Sequence, residues 1–273
     1  IKQITRAMEK VATTKLRRFQ DRPVASRPYA DEIAQLLSRL AAVMRDRLSD
    51  RPHFRSGEGD VTAMLLVSSD RGLCGAYNSN LYAALERWLS EHPEREVRFY
   101  VYGQRGFQYL RKRGFSVERY FVDPPLEKID YRLAKYTARA LSDAFLGGGV
   151  RDVVLLYTAF ESMVRQVPTF TRLLPVEPAG ADDQAAAAGD VILEPSPEAL
   201  LEKLLPRYLE TRVYNALLES ITSEYAIRRM SMKNATDAAS DMQTLLKGIY
   251  NRKRQEGITK ELLDIVGGAE ALR

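Results

Sequence analysis

The sequence predicts an α/β protein: an antiparallel coiled coil of long N- and C-terminal helices standing on an α/β body with a mostly parallel sheet. Three observations predict it. Apolar residues at both ends of the chain recur every three or four positions. The middle alternates short apolar runs with helical stretches. The final stretch, 197–269, carries its helical pattern without a strong stop.

The elements follow in order. Over 1–50, Ile1, Ile4, Met8 and Val11 step as a heptad seam, and Tyr29, Ile33, Leu36, Leu40 and Val43 resume it. Pro23 and Pro28 lie between the two runs, so a kink or break is expected near 23–28. "SDRPHFRSGEGD" should end this helix. The helical pattern is already running at Ile1, with no initiator Met, which implies a natural start further upstream.

Apolar runs at 61–67, 97–102 and 117–122 read as strands, separated by helices near 79–91 and 104–113. A helix at about 127–146 stops at Gly147–Gly149. "RDVVLLYTAF" and "QVPTFTRLLPV" then read as two antiparallel strands, and "AGADDQAAAAGD" (179–190) as a surface loop. The domain limits expected are 1–55, 60–194 and 195–273.

Residues 197–269 read as one helix, about 105 Å long. Leu218, Ile221, Tyr225, Arg228, Met232, Ala235, Ala239, Met242, Leu246 and Ile249 form a strict seam along it. Such a repeat implies a left-handed supercoil with a partner helix, most simply that of residues 1–50. That partner is shorter, so one tip of the C-terminal helix should overhang. The overall shape is a rod on a base.

Composition narrows the function. The 273 residues are 45% apolar and 28% charged, with a net charge of +5. This is a globular composition, with no apolar run near the ~20 residues of a membrane span. The lone Cys74 rules out an internal disulfide and fits a reducing compartment. Residues 1–30 carry eight Lys or Arg against Glu9 and Asp21, a face suited to an acidic partner, protein or nucleic acid.

"SSDRGLCGAYNSN" (68–80) sits between a strand and a helix, where phosphate-binding loops sit. It lacks the Lys of GxxxxGK[ST] and the third glycine of GxGxxG. A structural corner, ordered by Asp70 or Asn78, explains it better. Arg228 is the one charge in the apolar seam. It needs a carboxylate or carbonyls, a route to water, or a further partner. Beyond Ile249 the seam gives way to Lys253, Glu256 and Lys260, yet Leu262, Leu263, Ile265 and Val266 follow. That tip is either sleeved by another protein or folded back on its coil. His53 and His92 are read as surface residues, and no catalytic, cofactor or metal set is assembled.

"IKQITRAMEKVATTKL", "SSDRGLCGAYNSN", "MKNATDAA" and "YNRKRQEGITKELLDIVGGAEAL" together closely resemble the gamma subunit of F-type ATP synthase, over essentially the whole chain. The resemblance implies a non-catalytic rotor shaft with a Rossmann-like domain at its base. It implies alpha and beta subunits of the F1 hexamer as partners above, and the epsilon subunit and c-subunit ring below. It also implies a site peripheral to the cytoplasmic face of a bacterial cell membrane, with no cofactor and no nucleic acid. Lys10, Arg228, Arg254, Gln255, Thr259 and Glu261 match positions that meet beta, and Glu194 lies near the contact with the c ring. Lys10 departs from the commoner Met. The rival readings are a nucleotide-dependent enzyme using the glycine loop and a basic coiled coil that binds nucleic acid.

Overall fold

The computed structural model describes residues 1–48, 50–177, 194 and 196–271, without side chains at 45, 46 and 266–271. The loop expected at 179–190 lies outside the described residues.

Helix α1 (Lys2–Phe19) is followed at once by α2 (Asp21–Val43) and the single turn α3 (Arg45–Leu48). The break expected near 23–28 falls instead at Gln20, and α2 runs on through both prolines. The offset has a simple cause. A break at Gln20 places Pro23 in the first turn of α2, where its missing N–H has no intrahelical partner to lose. Only Pro28 interrupts the helix interior.

The body is a five-stranded sheet in the order β3-β2-β1-β4-β5. Strands β1 (Val61–Val67), β2 (Glu96–Tyr102), β3 (Val117–Phe121) and β4 (Val150–Phe160) are parallel, and β5 (Gln166–Leu174) returns antiparallel to β4. Helices α4 (Tyr77–Glu91), α5 (Gln104–Lys112) and α6 (Tyr131–Leu146) connect the parallel strands. Asp130 caps α6 by accepting from the Leu133 N–H at 2.9 Å.

Both faces of the sheet are covered, so β1 is buried along its whole length and reads as an unbroken apolar run. Met64, Leu66, Phe99 and Val101 pack with Leu81, Leu85 and Leu110 of α4 and α5. On the other face, Ala63, Leu65, Val67 and Tyr102 pack with α6 and with the terminal helices, including Leu16, Leu217 and Ile221. The coil is therefore part of the sheet's own core rather than an appendage.

Helix α7 (Pro197–Ala271) is 75 residues long, about 112 Å. It runs antiparallel to α1 and α2. Arg47 pairs with Glu198, Arg27 with Glu219, and Lys2 Nζ donates to Ser240 Oγ at 2.9 Å.

The seam on α7 is buried through Leu218, Ile221, Tyr225, Arg228 and Met232. Its continuation differs from expectation: Met242, Leu246 and Ile249 are exposed, beyond the Lys2–Ser240 hydrogen bond that joins α1 to α7. On the N-terminal side the packed row is also displaced. Ile33 and Leu40 of the expected seam are buried, together with Ala12, Leu16, Phe19 and Leu37, while Ile1, Ile4, Val11, Tyr29, Leu36 and Val43 face outward. Both rows have heptad spacing, and contact with the sheet and α7 together selects the one that includes Phe19.

Candidate functional site

In a doubly wound sheet, ligands enter at the point where strand order reverses, beyond the carboxyl ends of the strands. Here that point lies between β1 and β4. It is occupied by α7. The Tyr77 and Ser220 hydroxyls are 2.7 Å apart, and the Phe160 N–H at the end of β4 donates to Glu219 at 3.4 Å. The protein's own helix fills the crevice that a dinucleotide would use.

The glycine loop is the socket for that helix. Leu73 (φ 62°) and Gly75 (φ 54°) are both left-handed, which folds the loop tightly. A Cβ at Gly75 would lie 2.3 Å from Ser231 Oγ and 3.1 Å from Ile227 Cγ2, so glycine is what lets α7 approach. Asn78 accepts from the Ser69 N–H at 3.2 Å and donates to Ser69 Oγ at 2.7 Å. Asp70 accepts from the Gln104 N–H at the start of α5. Asn78 orders the corner from within, as expected, and Asp70 ties it to α5.

Arg228 enters this socket. Its guanidinium donates to Glu224 Oε1 at 2.5 Å and to the carbonyls of Arg71 and Gly72 at 3.2 and 3.3 Å. Of the routes open to a seam arginine, it takes carboxylate and carbonyls within its own chain. A loop that aims carbonyl oxygens at a buried cation is the reverse of a phosphate cradle, which aims N–H groups at an anion. The adjoining cavity, about 150 Å³ and lined by Asp70, Glu127 and Glu224 together with Arg71 and Arg228, is too small for a nucleotide.

A second tie joins three elements. Lys15 of α1 pairs with Glu127 at 2.9 Å, and the Tyr225 hydroxyl of α7 donates to the same carboxylate. Glu127 stands in a short turn before α6, so the body grips both helices at one residue. Burial pulls its pKa up, but the bonds from Tyr225 and Lys15 outweigh this and leave it below the usual carboxylate value. Glu224 goes the other way: burial pushes it up to about 7 against the pull of Arg228. Cys74 is buried and its thiol pKa is raised by burial, as befits a packing residue.

Beyond Ser240 the shaft is bare, with every described side chain from Asp241 to Ile265 exposed. Met242, Leu245, Leu246 and Ile249 share one face, continuing the seam. Ile258, Leu262 and Ile265 share the opposite face, and Leu263 lies on the side of Leu245, so the exposed apolar residues go round the helix along its length. An apolar girdle of that kind is covered by surrounding a helix, not by a single partner strand. The described tip extends straight and does not fold back.

The residues expected to meet partners are thus dispersed. Lys10 is exposed on α1, near the level of Arg228. Arg254, Gln255, Thr259 and Glu261 are exposed on the bare tip, about 40 Å or more further along. Glu194 is exposed just before α7. Arg228 is turned inward. The two histidines are half-buried rather than on the surface: His53 hydrogen-bonds Ser142 at 3.1 Å and His92 stacks on Trp88. Sequence reasoning missed Glu127, Tyr225, Tyr77 and Glu224 as a set. Only the Glu224–Arg228 spacing of four was legible as a helical pair. Among the described residues no metal-binding cluster occurs, and no described helix is long and apolar enough to cross a membrane.

Comparison with known proteins agrees with this architecture. The ATP synthase family model matches residues 1–272. An ATP synthase gamma chain from Chlorobium phaeobacteroides is 37% identical over 276 residues, covering 99% of this chain and 94% of the relative. One from Geobacter sp. (strain M21) is 37% identical over 274 residues, covering 100% and 94%. Among solved structures, a chain of the central stalk and c ring of the Tetrahymena thermophila mitochondrial ATP synthase aligns with a TM-score of 0.61 at 23% identity, covering 85% of this chain and 99% of its own. A chain of the Euglena gracilis mitochondrial ATP synthase aligns at 0.60 and 17% identity, covering 97% and 95%. At these identities the structures speak for the fold, and the sequence relatives decide membership: the chain belongs to the ATP synthase gamma-chain family.

Proposed function

We propose that this chain is the central-stalk rotor of an F-type ATP synthase, carrying torque between the membrane c ring and the alpha3beta3 hexamer without making or breaking a bond itself. One observation carries the reading: α7 is locked into the sheet body at Arg228, Tyr225 and Ser220, and its far end carries exposed Ile258, Leu262, Leu263 and Ile265. A helix held rigidly at one end and clad in apolar side chains at the other suits a shaft turning in a sleeve.

The division of labour follows limits at 1–55 and 195–273 for the shaft and 60–194 for the base. Arg254, Gln255, Thr259 and Glu261 on the tip, with Lys10 on α1, are the proposed beta contacts. Arg228 acts on beta through the loop it braces. Glu194 is the proposed contact with the c ring and epsilon, which sets the base against the cytoplasmic face of a bacterial cell membrane. The carbonyl-lined socket argues against the nucleotide-enzyme reading. Lys15 and Arg27 pair within the chain, and an acidic loop on beta accounts for the other cations of residues 1–30 as well as nucleic acid does.

Reconstitution with alpha and beta subunits is the test. Adding the chain should raise ATP turnover, and Arg254→Ala with Gln255→Ala should lower turnover while leaving assembly intact. Turnover indifferent to the chain, or a double variant that assembles and turns over normally, contradicts the proposal.

A further inference from the structure

The edge of the body farthest from β5 carries a feature that the shaft does not use. Strand β3 ends the sheet, and among the described residues its outer edge is unpaired. Beside it, Tyr120 of β3 and Phe107 of α5 stack at 4.4 Å, their planes 6° apart. They line an open hollow of about 450 Å³ with Gln104, Gln108, Arg111 and Lys112.

Charge at this edge is one-sided. Between Gln104 and Tyr120 the chain carries five Lys or Arg against Glu118 alone. Arg113 is taken up by Glu86, and Arg119 lies on the Tyr136 ring. Arg111 lies over the Phe107 ring, 5.7 Å from its centroid. Neither Arg111 nor Lys112 has an acidic partner among the described residues, and both are exposed.

We propose that this edge binds an extended acidic peptide segment bearing one bulky apolar side chain. Three features select that occupant. The row of free N–H and C=O groups on β3 matches a peptide backbone and not a phosphodiester. The exposed cations of α5 complement acidic side chains flanking the strand. The aromatic-floored hollow accepts one apolar anchor. Arg111 and Lys112, the two cations that line the hollow, are also a small footprint for nucleic acid, which is held along a stripe of phosphates. The inference concerns the outer edge of the body and stands apart from the rotor reading.

Fluorescence anisotropy of the full chain with a labelled peptide of alternating Glu and Val, carrying one central Phe, tests it. Binding should weaken with salt, and Arg111→Glu with Lys112→Glu should weaken it about tenfold or more. Replacing the peptide's Phe by Ala should also weaken it. The equally charge-reversing pair Arg55→Glu and Arg151→Glu, away from this edge, should leave it unchanged. No binding, equal loss from that pair, indifference to the Phe, or tighter binding of single-stranded DNA overturns the proposal.

Discussion

Replacing Arg228 by Met should free the glycine loop from the shaft. The Arg228 and Glu224 side chains are 11% and 7% exposed, so the pair is almost wholly out of water. Removing one partner of such a pair costs about 3–5 kcal/mol, because the other charge is left buried and alone. Two loop carbonyls also lose their donor. The cost depends on pH in a defined direction. The folded-state pKa of Glu224 is raised to about 7, above its unfolded value, so the stability linked to its protonation is full below the unfolded value and is lost as pH rises through 7. Without Arg228 the carboxyl takes up a proton still more readily, so the substitution should cost most at about pH 8 and clearly less at about pH 5.5. Native-state hydrogen exchange at residues 68–76 reads the local opening free energy, each variant being compared with the parent at the same pH. Arg228→Met with Glu224→Leu should recover most of the loss, since no buried charge then remains. A single-variant cost below about 1 kcal/mol at the higher pH, or a double variant as damaged as the single, would refute the clamp as drawn.

Glu127→Gln should loosen both helices from the base, by about 1–2 kcal/mol given its partial exposure. Because the pKa of Glu127 is lowered, its contribution is present above the unfolded carboxylate value and fades as pH falls through the folded one, so an acid titration should show a smaller loss for the variant than for the parent. Gly75→Ala should open the socket through both its Cβ clash with Ser231 and its left-handed φ. Adding Ser231→Gly should relieve the clash but leave the backbone strain of roughly 1 kcal/mol, and full rescue would show the strain to be absent. Tyr77→Phe removes one hydroxyl from a buried pair with Ser220 and should cost about 1–2 kcal/mol in thermal unfolding, with no effect expected on the exposed tip.

Periodicity made the fold legible. Heptads at both ends, alternating strands and helices between them, and the long helical run from Pro197 to Ala271 each carry their structure locally. The bare tip was legible in part, because its apolar residues leave the seam after Ile249. What the pattern alone did not fix was which of two equally spaced rows on α1 and α2 turns inward. Ile4 and Val11 satisfy the heptad as well as Ala12 and Leu16 do, and only simultaneous contact with sheet and shaft separates them.

Local chemistry in the sequence determined that the loop at 68–76 turns tightly, that Arg228 needs a polar answer, and that the ends of the chain pair. The tertiary structure decided that the loop and the arginine answer each other, across 156 positions of sequence. It also decided that Lys15, Glu127 and Tyr225, from three separate segments, meet in one bond network. A side chain's need for a partner is a property of its chemistry, but the partner's identity depends on long-range packing. That packing brings α7 across the mouth of the sheet, and no periodicity within a single element records it.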